Sequence, residues 1–280
     1  MTTEHQYQPT PLNICFIGGG NMARALISGM LQQGFDACRI NVIESDAEKR
    51  KQLKNDFSIN TTEQLPSAAA SDIIVLAVKP QQLRDLSIFL GSLLKNQLII
   101  SIAAGVRSRD LARWLGGYEA IVRVMPNTPA QIQAGVSALF AATDVTPLQK
   151  QQAESLMKAV GATLWLDNEA RMDAVTAISG SGPAYVFYLI EALQEAAIAL
   201  GFTTEEAKML SLQTFSGATK LAMQSNENPE TLRHQVTSKG GTTERAIQSL
   251  DAAGVKAAIS AAANAAAERS RELGDLLGAE

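Results

Sequence analysis

Two glycine-rich stretches carry the residue types best suited to holding anions. The first, Gly18-Gly19-Gly20, follows the apolar run Leu12, Ile14, Phe16 and Ile17 and precedes Met22, Leu26 and Met30 at helical spacing. A strand therefore turns into a helix at the glycines, where backbone N–H groups without Cβ atoms can approach an anion at the positive end of the helix. The pattern Gly18-x-Gly20-x-x-Ala23 is the dinucleotide fingerprint with a small residue in third place, which lets helix and sheet pack closely. Its alternative is a tight turn that binds nothing. The second stretch, Gly240-Gly241-Thr242-Thr243, opens another apparent helix, and a substrate carboxylate is the candidate anion for its free N–H groups.

The residues that are missing narrow the chemistry. His5 lies in a polar opening and His234 in a polar helix, so neither is placed as an acid or base, and a histidine-driven hydroxy-acid dehydrogenase is disfavoured. There is no HExxH, GxSxG or paired-carboxylate pattern. Cys15 and Cys38 have no metal-ligand spacing, so the expectation is two reduced thiols and no metal site. Hydride transfer to an imine fits, because prior protonation of its nitrogen makes the carbon electrophilic and leaves no alkoxide to stabilise.

The elements that position these residues alternate. After the first helix come "RINVIES" as strand, ending near Glu44, "SDAEKRKQLKNDF" as helix, and a third strand beginning at "SIN". "DIIVLAV", "QLIISIAAGV", "AIVRVMP" and "ATLWL" read as further strands, with helices over "QQLRDLSIFLGSLL", "RSRDLARWLG" and the capped segment from Thr146 that Gly161 can close. From about Asn168 no strand appears and long Ala- and Leu-rich helices dominate. The reading is an α/β Rossmann-type doubly wound parallel sheet over 12–167, followed by an all-α helical substrate and dimerisation domain over 168–280, with a loose tail at 1–11. The Ala-rich last helix belongs inside a bundle that a second subunit completes, or else covers a single domain.

In such a sheet ligands bind beyond the carboxyl ends of the strands. Gly18 to Ala23, Glu44 to Asp46, the segment from Ala77 through Val78 and Lys79, and the segment from Ser101 that includes Ala103 all fall there. Lys79 can approach a phosphate or ribose, or extend into solvent. Asn127, between two prolines, aims an amide that can recognise a carboxamide such as nicotinamide, though a structural turn has the same composition. A net charge of −4 over 280 residues, with no dense basic block, disfavours nucleic acid. No apolar run is long enough for a bilayer, and the polar opening points to a cytoplasmic protein without membrane contact.

Six segments in order, "FIGGGNMA", "AVKP", "SIAAGV", "RVMPNTPA", "SGSGPAYVF" and "GGTTERAI", make the chain resemble the pyrroline-5-carboxylate reductases. The resemblance implies an NADPH- or NADH-dependent reduction of 1-pyrroline-5-carboxylate to L-proline by a homodimer or higher homo-oligomer. It places Gly18, Gly20, Asn21 and Met22 at the pyrophosphate, and Ala77, Lys79 and Asn127 near the ribose and nicotinamide, with Val78 and Ala103 also among the cofactor-binding residues. Gly240, Gly241 and Thr242 would hold the substrate carboxylate, with Thr243 beside the ring nitrogen as the catalytic side chain. Lys239 departs from the proline usual before the glycine pair. Glu44 at the end of the second strand favours NADH, whereas Ser45, with Lys49, Arg50 and Lys51 nearby, can favour a 2′-phosphate; the family leans to NADPH, which is the expectation here. The competing readings are a reductase of a small open-chain oxo acid and a non-catalytic NAD(P) sensor.

Overall fold

The computed structural model describes residues 12–279, so the tail expected over 1–11 lies outside the described residues. Packing divides the chain into two compact units, one running to Gly180 and taking back the segment from Ala266, the other formed by Ser181–Ala265.

The first unit is built on an eight-stranded sheet. Its strands are β1 Ile14–Ile17, β2 Ile40–Ile43, β3 Asn60–Thr62, β4 Ile73–Leu76, β5 Leu98–Ser101, β6 Ile121–Met125, β7 Gly135–Ala141 and β8 Gly161–Trp165, in the order β3-β2-β1-β4-β5-β6-β7-β8. The central strands are apolar on both faces because helices cover both. Ile14 and Phe16 of β1 face one core with Val42, Val75 and Ile100, closed by Leu26, Leu53 and Leu156 of helices α1 Asn21–Gln32, α2 Ala47–Phe57 and α5 Pro147–Lys158. Cys15 and Ile17 face the other with Ile74, Leu76 and Ile99, closed by Leu83, Leu90, Leu111 and Trp114 of α3 Pro80–Gly91 and α4 Ser108–Trp114. The period-two alternation of each strand thus serves two cores at once.

Three details differ from the sequence reading. The sheet is not wholly parallel: β7 is a strand the sequence reading lacks, and it runs antiparallel to β6 before β8 pairs parallel with it. Its sequence GVSALFA is diluted by small and polar residues, which hides it among turns. β5 stops at Ser101, short of the apolar stretch that follows, because the chain turns away to reach Gly105 at φ +79°. Gly161 opens β8 instead of closing α5, whose last residue is Lys158; a Cβ there would collide with the Gly135 carbonyl of β7.

The composition changes at residue 168, but residues 168–180 pack with the sheet. The Glu169 carboxylate accepts from Arg123 Nη1 of β6 at 2.9 Å, from Ser108 N at 2.7 Å and from the Ser108 hydroxyl at 2.6 Å. Met172 of the short helix α6 Met172–Val175 is fully buried with Ala138 and Leu166, and a π-helical turn, Thr176–Gly180, completes the unit.

The second unit contains only helices among the described residues: α7 Gly182–Ala199, α8 Thr204–Gln224, α9 Pro229–Gln235, α10 Thr242–Ala252 and the start of α11 Val255–Ala279. Thr203 with Glu206 forms the capping box that starts α8, and Asn228 caps α9. The far end of α11 belongs to the first unit, where Asp275 pairs with Arg107 at 2.6 Å, Arg113 donates to the Gly278 carbonyl at 2.6 Å, and the Ser270 hydroxyl donates to Asp173 at 2.6 Å.

Candidate active site

The β1–α1 turn is fixed by backbone contacts and left open on one side. Gly18 donates its N–H to the Ile43 carbonyl at 2.8 Å, sits at φ +102°, and has so little room that a Cβ would lie 2.7 Å from the Ala77 carbonyl oxygen. Only glycine satisfies both conditions. Gly20 is the reverse: its φ of −72° suits any residue, and a Cβ would meet nothing within 4 Å. The conformational demand of the turn therefore falls on Gly18, while Gly20 keeps a clear approach. Gly20 is also the N-cap of α1 and supplies no side-chain cap, so the first-turn N–H groups beyond exposed Asn21 and half-buried Met22 have no side chain of their own to bind. This open, uncapped helix start fits a pyrophosphate.

The neighbouring strand ends border the same turn. Ala77 donates to the Ile17 carbonyl at 2.8 Å and is half-buried with Val78, whereas Lys79 is exposed as the N-cap of α3 and makes no ion pair among the described residues. Ala103 is buried in the loop after β5, which β4 separates from β1, so it does not border the glycine turn directly. Ser45 is exposed, and Glu44 reaches back into the glycine turn, its Oε2 accepting from Gly19 N at 3.0 Å and its Oε1 from Asp46 N at 3.1 Å. Partial burial pushes the Glu44 carboxyl up, but these two N–H bonds, the charge of Lys49 and the Ser45 hydroxyl outweigh it and hold the group below its ordinary range.

Asn127 is buried, and its amide is already engaged on both sides: Nδ2 donates to the Ser179 carbonyl at 3.1 Å and Oδ1 accepts from Val136 N at 2.9 Å. It braces the π-helical turn against β7, with one Nδ2 hydrogen left over.

In the second unit Gly240, Gly241, Thr242 and Thr243 lie together at the start of α10. Gly240 takes φ +73° and donates to Glu244 Oε2 at 2.7 Å, while Gly241 donates to the Ser238 carbonyl at 3.0 Å and is the N-cap. Two of the N–H groups expected to face a substrate thus have internal partners, and Thr242 and Thr243 supply the next N–H groups of the helix start. Thr243 is half-buried, does not cap the helix, and its hydroxyl has no hydrogen-bond partner among the described residues. Lys239 is exposed. Glu244 was missed in the sequence, although an acidic residue four positions after Gly240 is placed to fold back on a helix start.

Sheet order, glycine turn and uncapped α1 define a Rossmann-type α/β protein of the dinucleotide-binding class. Residues 13–105 match the family described as NADP oxidoreductase, coenzyme F420-dependent, and residues 169–273 match the one described as pyrroline-5-carboxylate reductase dimerisation. The pyrroline-5-carboxylate reductase of Pseudomonas aeruginosa is 47% identical over 267 residues, covering 95% of this chain and 98% of its own. A solved pyrroline-5-carboxylate reductase from Coxiella burnetii superposes with a TM-score of 0.90 at 42% identity, covering 94% of this chain and 99% of that one. A Plasmodium falciparum pyrroline carboxylate reductase solved with NADP bound gives 0.84 at 30% identity, over 94% and 98%. The chain belongs to the pyrroline-5-carboxylate reductase family.

Proposed function

We propose that the chain reduces the C=N bond of 1-pyrroline-5-carboxylate with NADPH, giving L-proline as the last step of proline biosynthesis in the cytoplasm. The observation that carries the cofactor reading is the start of α1, where Gly20 leaves open space in front of N–H groups that no side chain caps. The relative solved with NADP supports the same choice. Gly18, Gly20, Asn21 and Met22 take the pyrophosphate. Glu44 and Ser45 lie on the adenosine side, and Ala77, Val78, Lys79, Ala103 and Asn127 on the nicotinamide side, with Asn127 acting through the turn it braces.

NADPH supplies the hydride. The residues of α10 hold the acceptor: N–H groups of the Gly240–Thr242 turn bind the carboxylate, and Thr242 N–H is available without displacing Glu244 from Gly240. The Thr243 hydroxyl, without a hydrogen-bond partner among the described residues, accepts from the iminium N–H and fixes the orientation of the ring. As the hydride adds to carbon, the π pair moves to nitrogen, so the positive charge is quenched and no oxyanion has to be stabilised. This explains why a site without histidine suffices.

The functional unit is at least two copies of the chain. Helix α7 carries Val186, Phe187, Tyr188, Leu189 and Leu193, yet buries none of them, leaving Phe187 65% and Tyr188 71% exposed. Apolar surface of this kind marks an interface, in agreement with the dimerisation family matched by residues 169–273.

Following NADPH oxidation with 1-pyrroline-5-carboxylate, and separately with open-chain 2-oxo acids, tests the reading. Turnover with the cyclic imine alone is expected. Turnover only with oxo acids would replace the substrate, and cofactor binding without turnover of either would make the protein a sensor.

A further inference from the structure

A carboxylate at the end of β2 ordinarily hydrogen-bonds ribose hydroxyls and repels a 2′-phosphate. In this chain the Glu44 carboxylate has another task. Oε2 accepts from Gly19 N at 3.0 Å, and Oε1 accepts from Asp46 N at 3.1 Å and from the Ser45 hydroxyl at 3.4 Å, so both oxygens tie the β1–α1 turn to the β2–α2 turn. Nor can the start of α2 serve as an anion site, because Asp46 Oδ1 accepts from Glu48 N at 2.9 Å and Lys49 N at 3.2 Å.

One cation is fixed at this corner. Arg50 Nη1 donates to the Glu44 carbonyl at 2.7 Å and to the Ser45 carbonyl at 2.8 Å, which sets the guanidinium plane against the turn after β2. Nη2 donates to Glu63 Oε2 at 3.0 Å, leaving its second hydrogen and the Nε hydrogen without partners among the described residues. The two ends of that ion pair differ: the Arg50 side chain is 20% exposed, the Glu63 side chain 66%. Lys49 and Lys51 are exposed and make no ion pair among the described residues.

We propose that Arg50 is the residue by which this chain recognises the 2′-phosphate, that Glu63 holds its guanidinium until the phosphate takes over, and that Glu44 supports the glycine turn for either cofactor. A guanidinium pre-set by two carbonyls offers a fork to phosphate oxygens at little cost in side-chain freedom. A carboxylate as exposed as Glu63 is held weakly and gives way to a more highly charged anion. The proposal rests on the dinucleotide site described above.

Direct titration of NADPH and NADH, followed by nicotinamide fluorescence without substrate, separates the roles. Arg50→Met is expected to weaken NADPH about tenfold to a hundredfold and NADH less than about threefold. Glu63→Gln should tighten NADPH about twofold to fivefold and leave NADH unchanged. Glu44→Gln should weaken both cofactors alike. Equal weakening of both cofactors by Arg50→Met, or an unchanged NADPH-to-NADH ratio in Glu63→Gln, would overturn the assignment. If Arg50→Met fails to fold, Glu63→Gln alone decides it. Failure of the unaltered protein to bind either cofactor would instead remove the dinucleotide site itself.

Discussion

Gly18 and Gly20 are two residues apart in one turn, yet substitution should harm the protein through different states. In Gly18→Ala the new methyl lies 2.7 Å from the Ala77 carbonyl oxygen and 2.8 Å from its carbon, and the backbone must hold φ +102° with a Cβ present. The dihedral strain costs about 1–3 kcal/mol, and forcing β1 away from the segment after β4 costs about 1–3 kcal/mol more. Together these take a large share of the roughly 5–15 kcal/mol that keeps a domain folded. For a unit of this size the melting temperature should fall by roughly 5–20 °C. Gly20→Val meets no atom within 4 Å at φ −72°. Its folded-state cost is confined to a poorer N-cap, about 1 kcal/mol or less, but its side chain stands where the pyrophosphate approaches, so cofactor binding should be abolished. Thermal melting and fluorescence titration of both variants form the assay. A Gly20→Val protein that melts normally and binds NADPH normally would refute the placement of the pyrophosphate, and a Gly18→Ala protein as stable as the parent would refute the steric argument.

Thr243→Val keeps the branched shape and removes a hydroxyl that has no partner among the described residues, so melting should be unchanged and turnover should fall roughly 10²-fold, the loss expected when the ring is no longer held in place; steady-state kinetics across pH checks it, and full turnover would exclude a catalytic role. The buried Cys15 thiol, its pKa pushed up to about 12 mainly by burial, should resist alkylation in the native protein, while exposed Cys38 reacts, slowed by the Asp36 hydrogen bond that raises its own pKa, giving one accessible thiol and a second only on unfolding. The same shift sets a pH slope: the unfolded chain ionises Cys15 near its ordinary 9.0 and the folded chain only near 12, so this contribution to stability is complete below 9 and is lost as pH rises through that window. Removing residues from Gly254 onward should give insoluble or inactive protein, whereas the full chain should sediment as a dimer or larger at micromolar concentration; an active monomer would refute the shared helical unit.

Much of the sheet was legible because its strands are buried on both faces and therefore read as unbroken apolar runs: Ile73–Leu76 and Leu98–Ser101 announce themselves. β7 did not, since Gly135, Ser137 and Ala138 are admitted by tight strand packing that leaves no hydrophobic signal in a linear reading. Both glycine turns could be located from residue type, but not how their N–H groups are divided. Nothing in "VIESD" tells that Glu44 turns inward to Gly19, because the partner is 25 residues away in sequence. Asn127 is a similar case: its residue type suggests recognition of a carboxamide, while its bracing of Ser179 depends on a contact 52 residues distant. Local chemistry is written in neighbouring residues, whereas its allocation among competing partners is settled by tertiary contacts.

The passage of α11 from one unit to the other has a consequence for synthesis. The chain leaves the sheet-bearing unit at Gly180 and returns to it only at Ala266. The segment that pairs Asp275 with Arg107 and offers the Gly278 carbonyl to Arg113 is therefore translated after the whole helical unit. A nascent chain can form its strands early, but the loop around Gly105, against which Leu273 and Leu277 pack, stays without its cover until those residues emerge from the ribosome. The sheet-bearing unit is begun first and finished last, so a chain cut short within the helical unit lacks both the leucines that cover the Gly105 loop and the carboxylate that pairs with Arg107.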